Sequence, residues 1–223
     1  MMLSAENRRK CISIARRLVQ PGRGSSRQLL RERGTEYGTI DVRRYLGSVP
    51  FTVVGGLATR LYMPERMTLD ADVLVLPDKL VEAEHALEGS ECKKLGQLSI
   101  GGSTWRLPEG QNLDLIALNE PWVADAISHA VAGPGGLPYA DLPYLVLMKL
   151  TSGRMQDLAD ISRMLGGADE KMLERTRQLI GRYRSGDLED LGSLISLGKL
   201  EYKEGGTSHN ALGGSGGKSG TQP

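Results

Sequence analysis

The stretch that most limits what this chain can fold into is residues 51–76, FTVVGGLATRLYMPERMTLDADVLVL. Phe51-Thr52-Val53-Val54 is apolar and partly β-branched, which predicts a strand. Gly55 and Gly56 break that pattern. Lacking a Cβ, they let backbone pass close to a ligand and let N–H groups point at a phosphate. Residues 57–62 are helix formers without a breaker. A turn at Pro64-Glu65 leads into Thr68-Leu69-Asp70-Ala71-Asp72 and then the apolar run Val73-Leu74-Val75-Leu76. On a strand, Asp70 and Asp72 leave from one face. Two carboxylates so placed repel each other unless a cation lies between them. Mg²⁺ takes a carboxylate or two together with water and substrate phosphate oxygens. A glycine turn, a helix and D-x-D on the next strand therefore read as a site for a nucleoside triphosphate with Mg²⁺.

Two downstream segments carry more charge in apolar surroundings. Asn112-Leu113-Asp114-Leu115-Ile116-Ala117-Leu118 reads as a buried strand with Asp114 early in it. An ionised Asp there costs several kcal/mol unless a cation pairs with it; the alternative is an exposed carboxylate at a strand end. Asp141-Leu142-Pro143 predicts a helix start, with Asp141 as cap and proline in the first turn. That helix carries Lys149 amid Leu145, Val146, Leu147, Met148 and Leu150, with Gly153 as a break. Lys149 either snorkels to solvent or reaches a triphosphate as a point charge. A further helix buries Leu158, Ile161 and Leu165 and sets Asp157 and Asp160 on an adjoining side, where they either act in the site or pair with Arg154 and Arg163. Arg66 is a candidate for a phosphate or a carboxylate partner, and Thr68 for a phosphate contact or a strand-start hydroxyl.

The ordered set Gly55-Gly56, Arg66-x-Thr68-x-Asp70-x-Asp72, Asp114, and then Lys149, Arg154, Asp157 and Asp160 resembles the nucleotidyltransferase superfamily with the DNA polymerase β-like fold, and within it the AbiEii/AbiGii-type toxins. The resemblance spans roughly residues 49–165. It implies an α/β (α+β) fold, a small mixed sheet flanked by helices with helical extensions at both ends. It implies Mg²⁺ held by Asp70, Asp72 and Asp114, and an NTP held by Gly55, Gly56, Arg66, Thr68, Lys149 and Arg154, with Asp157 or Asp160 functional. It further implies in-line transfer of an NMP to an acceptor hydroxyl, with Asp114 helping to deprotonate it. An RNA end, such as that of a tRNA, is the expected acceptor, and a cognate antitoxin protein the expected partner. Gly56 stands where the family usually has a serine, so one hydroxyl contact to phosphate is missing. The competing expectations are a small-molecule nucleotidyltransferase and a catalytically silent nucleotide-binding relative.

Charge bears on the acceptor. Residues 1–46 hold 11 Lys and Arg against 4 Asp and Glu, a local +7, whereas the rest holds 17 against 23, a local −6. Such a basic segment is either a nucleic-acid contact or a solvated helix face. Ser4 caps an expected helix whose apolar stripe is Cys11, Ile14, Ala15 and Leu18. Further helical pieces are expected near residues 26–33 and 40–46. The expected organisation is a basic helical segment (1–48), a catalytic core (49–119), a helical region (120–203) and a disordered Gly/Ser-rich tail (204–223). Aromatic residues make up 4%, too few for stacked-base platforms. Cys11 and Cys92 are expected to be free thiols in a reducing cytoplasm. No apolar run reaches ~18 residues, and residues 1–10 lack the apolar core of a secretory signal, so neither a membrane span nor export is expected. His85, His129 and His209 have no metal-ligand spacing.

Overall fold

The structure is a computed structural model that describes residues 3–19, 40–63, 66, 68 and 70–202. The expected helical piece at 26–33, the turn at Pro64-Glu65, His209 and the tail lie outside the described residues.

Among the described residues seven strands form one mixed sheet, in the order β3-β4-β5-β2-β1-β7-β6. Strand β1 (Phe51–Val54) is buried at every position, as suits an unbroken apolar run with structure on both faces. It pairs antiparallel with β2 (Ala71–Val75), Val54 opposite Asp72. Strand β2 runs parallel to β5 (Asn112–Ala117), Asp72 opposite Asp114. Beyond β5 lies the hairpin β3 (Lys93–Gln97) and β4 (Gly102–Arg106), and β3 is an exposed edge.

The region expected to be helical from residue 120 also contributes two short strands. Strand β6 (Val131–Ala132) pairs with β7 (Pro138–Tyr139), and β7 extends the sheet beside β1 through Val53 opposite Tyr139. Strands of two residues show no alternation in sequence, which hid them.

Helices form the other layers. After α1 (Ala5–Leu18) and α2 (Arg43–Leu46) comes α3 (Gly55–Tyr62), which follows β1 without a loop and packs on β1 and β2. Helices α4 (Leu80–Gly89) and α5 (Val123–Ser128) lie between strands in the chain. Helix α6 (Leu142–Ser152) is buried nearly all round, Leu142, Leu145, Val146, Leu147 and Leu150 included, as an interior helix must be apolar on every side. The Asp141 carboxylate caps it by accepting from Leu142 N at 2.8 Å. Gly153, in the left-handed region at φ 58°, ends it. Helices α7 (Met155–Gly166), α8 (Glu170–Tyr183) and α9 (Leu188–Tyr202) follow, with α9 packed along α7 and α8 against α6. Leu158, Ile161 and Leu165 are buried as expected. Burying each such side chain contributes about 1.5–3 kcal/mol.

Helix α1 docks on α9 with a different face from the one expected. Ile14 and Leu18 are 56% and 74% exposed, while Ile12 and Arg8 are buried. Arg8 Nε donates to Asp190 Oδ2 at 2.6 Å and its Nη2 to Asp187 Oδ1 at 2.5 Å. A charge pair across 182 residues turned the helix, and local periodicity carries no trace of it. Both cysteines are free thiols. Among the described residues no helix is long and apolar enough to cross a membrane.

Candidate active site

The carboxylate pair arises from strand register. Asp72 on β2 and Asp114 on β5 are direct neighbours, with backbones about 4.8 Å apart at the usual strand spacing, and opposed residues share a face. Thr104 on β4 is opposite Asp114, and its Oγ1 donates to Asp114 Oδ1 at 2.7 Å. Asp72, Asp114 and Thr104 thus form one polar row across three strands. Asp70 lies one residue before β2 and is exposed, with Thr68 Oγ1 donating to its carbonyl at 3.3 Å.

The two glycines make room for this row. Gly55 sits at φ 57°, and a Cβ there would come within 1.8 Å of Asp72 Oδ2. A Cβ on Gly56 would meet Thr68 Cβ at 2.7 Å. Each glycine is therefore the seat of one side chain from the R-x-T-x-D-x-D segment. Gly56 N donates to Asp72 Oδ2 at 3.3 Å at the start of α3, where the helix's positive end favours an anion. Even so, burial and then the charge of Asp114 push the Asp72 carboxyl up to about 6 from 3.8, with Asp70 adding to the rise.

That donor set fits a hard divalent cation. Two neighbouring carboxylates, one destabilised as an anion by burial and by the other, are relieved by positive charge between them. Asp72 and Asp114 would hold Mg²⁺, and Asp70 is near enough for its charge to act on Asp72. Among the described residues no cluster of three or more His, Cys, Asp and Glu side chains is arranged to hold a metal ion.

A second set of charges lies on α6 and α7. Lys149, with its side chain 10% exposed, donates to Asp160 Oδ2 at 2.6 Å and Asp157 Oδ1 at 3.2 Å. Asp157 also accepts from Arg154 Nε at 2.7 Å and from the Ser152 hydroxyl. Burial alone would raise the Asp157 carboxyl, but the bonds from Arg154 and Ser152 and the charge of Lys149 hold it below its ordinary value. Arg66 Nε faces Asp160 Oδ2 at 3.5 Å. Arg163 faces Glu201 at 3.6 Å. Removing one partner from a buried pair of this kind costs about 3–5 kcal/mol.

The sequence-selected residues thus fall into two groups. Asp72, Asp114, Gly55, Gly56 and Thr68 meet at the sheet, with Asp70 at its rim. Lys149, Asp157, Asp160, Arg154 and Arg66 form an ion-pair network. Arg154 links them, since its charge acts on Asp72. Sequence reasoning passed over Thr104 and Ser152. Only cross-strand pairing singles out Thr104, and a lone serine at a helix end carries no signal of its own.

No protein-family model matches the chain, and no curated protein matches it. Among solved structures it is similar to ANT(2'')-Ia in complex with adenylyl-2''-tobramycin, at 18% identity over 66% of this chain and 88% of that one, with TM-score 0.37. It is also similar to the Thermotoga maritima CCA-adding enzyme complexed with tRNA, at 17% identity over 78% of this chain and 49% of that one, with TM-score 0.34. A CCA-adding enzyme with CTP overlaps at 16% identity over 76% of this chain and 46% of that one, with TM-score 0.33. Backbone overlaps this loose do not carry chemistry from one chain to another.

Proposed function

We propose that this chain is a Mg²⁺-dependent nucleotidyltransferase that moves an NMP from an NTP to an acceptor hydroxyl, the bond between the α- and β-phosphates breaking as pyrophosphate leaves. The observation that carries the proposal is the Asp72–Asp114 pair, neighbours on adjacent strands, with Asp72 seated against Gly55 at the start of α3. Bound Mg²⁺ would neutralise triphosphate oxygens and orient the α-phosphorus for in-line attack. Asp72 is held by Gly56 N, so its carboxylate keeps one direction. Asp114 has one oxygen fixed by Thr104, leaving the other to accept a proton from the acceptor hydroxyl. Positive charge from Arg154 beside Asp72 suits phosphate oxygens.

The acceptor we assign is an RNA end, such as that of a tRNA, in a toxin restrained by an antitoxin protein. What supports an RNA is the +7 charge over residues 1–46. Among the described residues Arg16 and Arg17 are exposed and, with Arg9, Glu189 and Asp190, line a groove of about 350 Å³ between α1 and α9. A second reading, transfer to a small molecule, is favoured by the spent charge of Arg8, which is buried against Asp187 and Asp190, and of Arg9, which faces Glu189 and Asp190.

The test is incubation of the full chain with each α-labelled NTP, Mg²⁺ and total cellular RNA, followed by gel separation. Labelled RNA that vanishes with chelator and in Asp72→Asn is the expected result. Label confined to a small-molecule fraction selects the second reading. No transfer to any acceptor overturns the proposal.

A further inference from the structure

Two of the three donors on the Lys149 ammonium are committed to carboxylates. Its ammonium is within bonding distance of both Asp157 and Asp160, whose side chains are 2% and 4% exposed. Drawing it away would leave two buried charges without compensation. The arginines are the more exposed cations of this network, Arg66 at 27% against 10% for Lys149. Arg154 stands at the N-cap position of α7 and binds Asp157 through Nε and Nη2, at 2.7 and 3.3 Å, yet its side chain is 68% exposed. A guanidinium has five donors in a fixed fork, so this grip sets the plane of Arg154 and leaves other donors for an anion. Arg66, in the segment leading to β2, faces Asp160. In the amide orientation that satisfies both of its ends, the Gln156 carbonyl accepts from Arg66 Nη1 at 2.8 Å and Nη2 at 3.1 Å. Three cations and two anions leave this network with one net positive charge, set beside the carboxylates of β2 and β5.

We infer that Lys149 is a positioning residue: by neutralising Asp157 and Asp160 it fixes Arg154 and Arg66, and those two guanidinium groups meet the anionic end of the substrate. The inference rests on the nucleotidyl-transfer reading for the identity of that anion, a triphosphate. It inverts an expectation. If Lys149 touched phosphate directly, deleting the negative charge of Asp157 or Asp160 would free it and tighten anion binding. If Lys149 works through them, the same deletions untether an arginine and weaken binding, although a negative charge has been removed.

The experiment is calorimetric titration of the full chain with inorganic tripolyphosphate and Mg²⁺. The variants are Asp157→Asn, Asp160→Asn and Arg154→Gln, each confirmed by circular dichroism to be folded at the titration temperature. We expect Arg154→Gln and Asp157→Asn to bind about tenfold more weakly, the loss of one charge-assisted contact, and Asp160→Asn to bind more weakly than the parent. Equal or tighter binding by both isosteres overturns the inference. Should neither isostere fold, Arg154→Gln decides on its exposed side chain: unchanged affinity there overturns it. Absence of tripolyphosphate binding to the parent also overturns it. The two claims fail separately. If the anion follows this pattern while no labelled NMP is ever transferred, the nucleotidyl-transfer reading falls and the arginine site stands.

Discussion

Asp72 and Asp114 are opposed on neighbouring parallel strands, and Asp72 carries a carboxyl pushed up to about 6. Burial is the first cause and Asp114 the second. The fold thus keeps two like charges together on a sheet face, at a cost that only a function or a cation explains.

The cost has a measurable sign. A carboxyl raised in the folded state keeps a proton that the unfolded chain has released. Between about pH 4 and pH 6, stability therefore falls as pH rises, and the loss is complete above that window. In chelator at pH 7.5, Asp72→Asn is expected to be more stable than the parent, by on the order of 1–2 kcal/mol. The difference disappears near pH 4. Urea unfolding at the two pH values checks this, and a less stable Asp72→Asn at pH 7.5 refutes it.

Divalent cation should reverse that balance. Mg²⁺ is expected to raise the melting temperature of the parent, increasingly with concentration, because it binds only the folded pair. Asp72→Asn and Asp114→Asn should lose the shift. Thermal unfolding across a Mg²⁺ titration is the measurement, and a shift retained by both variants would place the cation elsewhere.

Gly55→Ala tests the seating of Asp72. The left-handed backbone alone costs about 1–2 kcal/mol for a residue with a Cβ, and the new methyl would overlap the Asp72 carboxylate. The variant should be destabilised and should lose the Mg²⁺-dependent melting shift. A folded Gly55→Ala with an intact shift would mean that Asp72 has another stable position.

The arginines of α1 should divide into two kinds. Arg8→Met removes the buried partner of Asp187 and Asp190, leaving them the more exposed Arg184 and Arg9, and is expected to cost about 3 kcal/mol in urea unfolding. Arg16→Glu with Arg17→Glu, on exposed positions in the last turn of α1, should cost only about 1 kcal/mol, from reversed charge at the helix end. That pair should instead weaken RNA binding and flatten its dependence on salt. Unchanged RNA affinity in the charge-reversed protein would turn the case toward a small-molecule acceptor.

Local pattern and residue chemistry were enough for much of this protein. The strand at β1, the glycine break, the two Asp-bearing strands, the Asp141 cap and the Gly153 stop all follow from properties that act within a few residues. Side-chain branching, missing Cβ atoms, proline geometry and helical or alternating periods are such properties. The three-dimensional arrangement settled what depends on groups far apart in the chain. Register made Asp72 and Asp114 neighbours and brought in Thr104. Close approach made Gly55 and Gly56 seats for Asp72 and Thr68. Burial tied Lys149 to Asp157 and Asp160. The ion pairs from Arg8 to Asp187 and Asp190 rotated α1 away from its apolar stripe. Charge pairs and strand register draw their energy from partners that a local window never contains, so tertiary structure alone decided them.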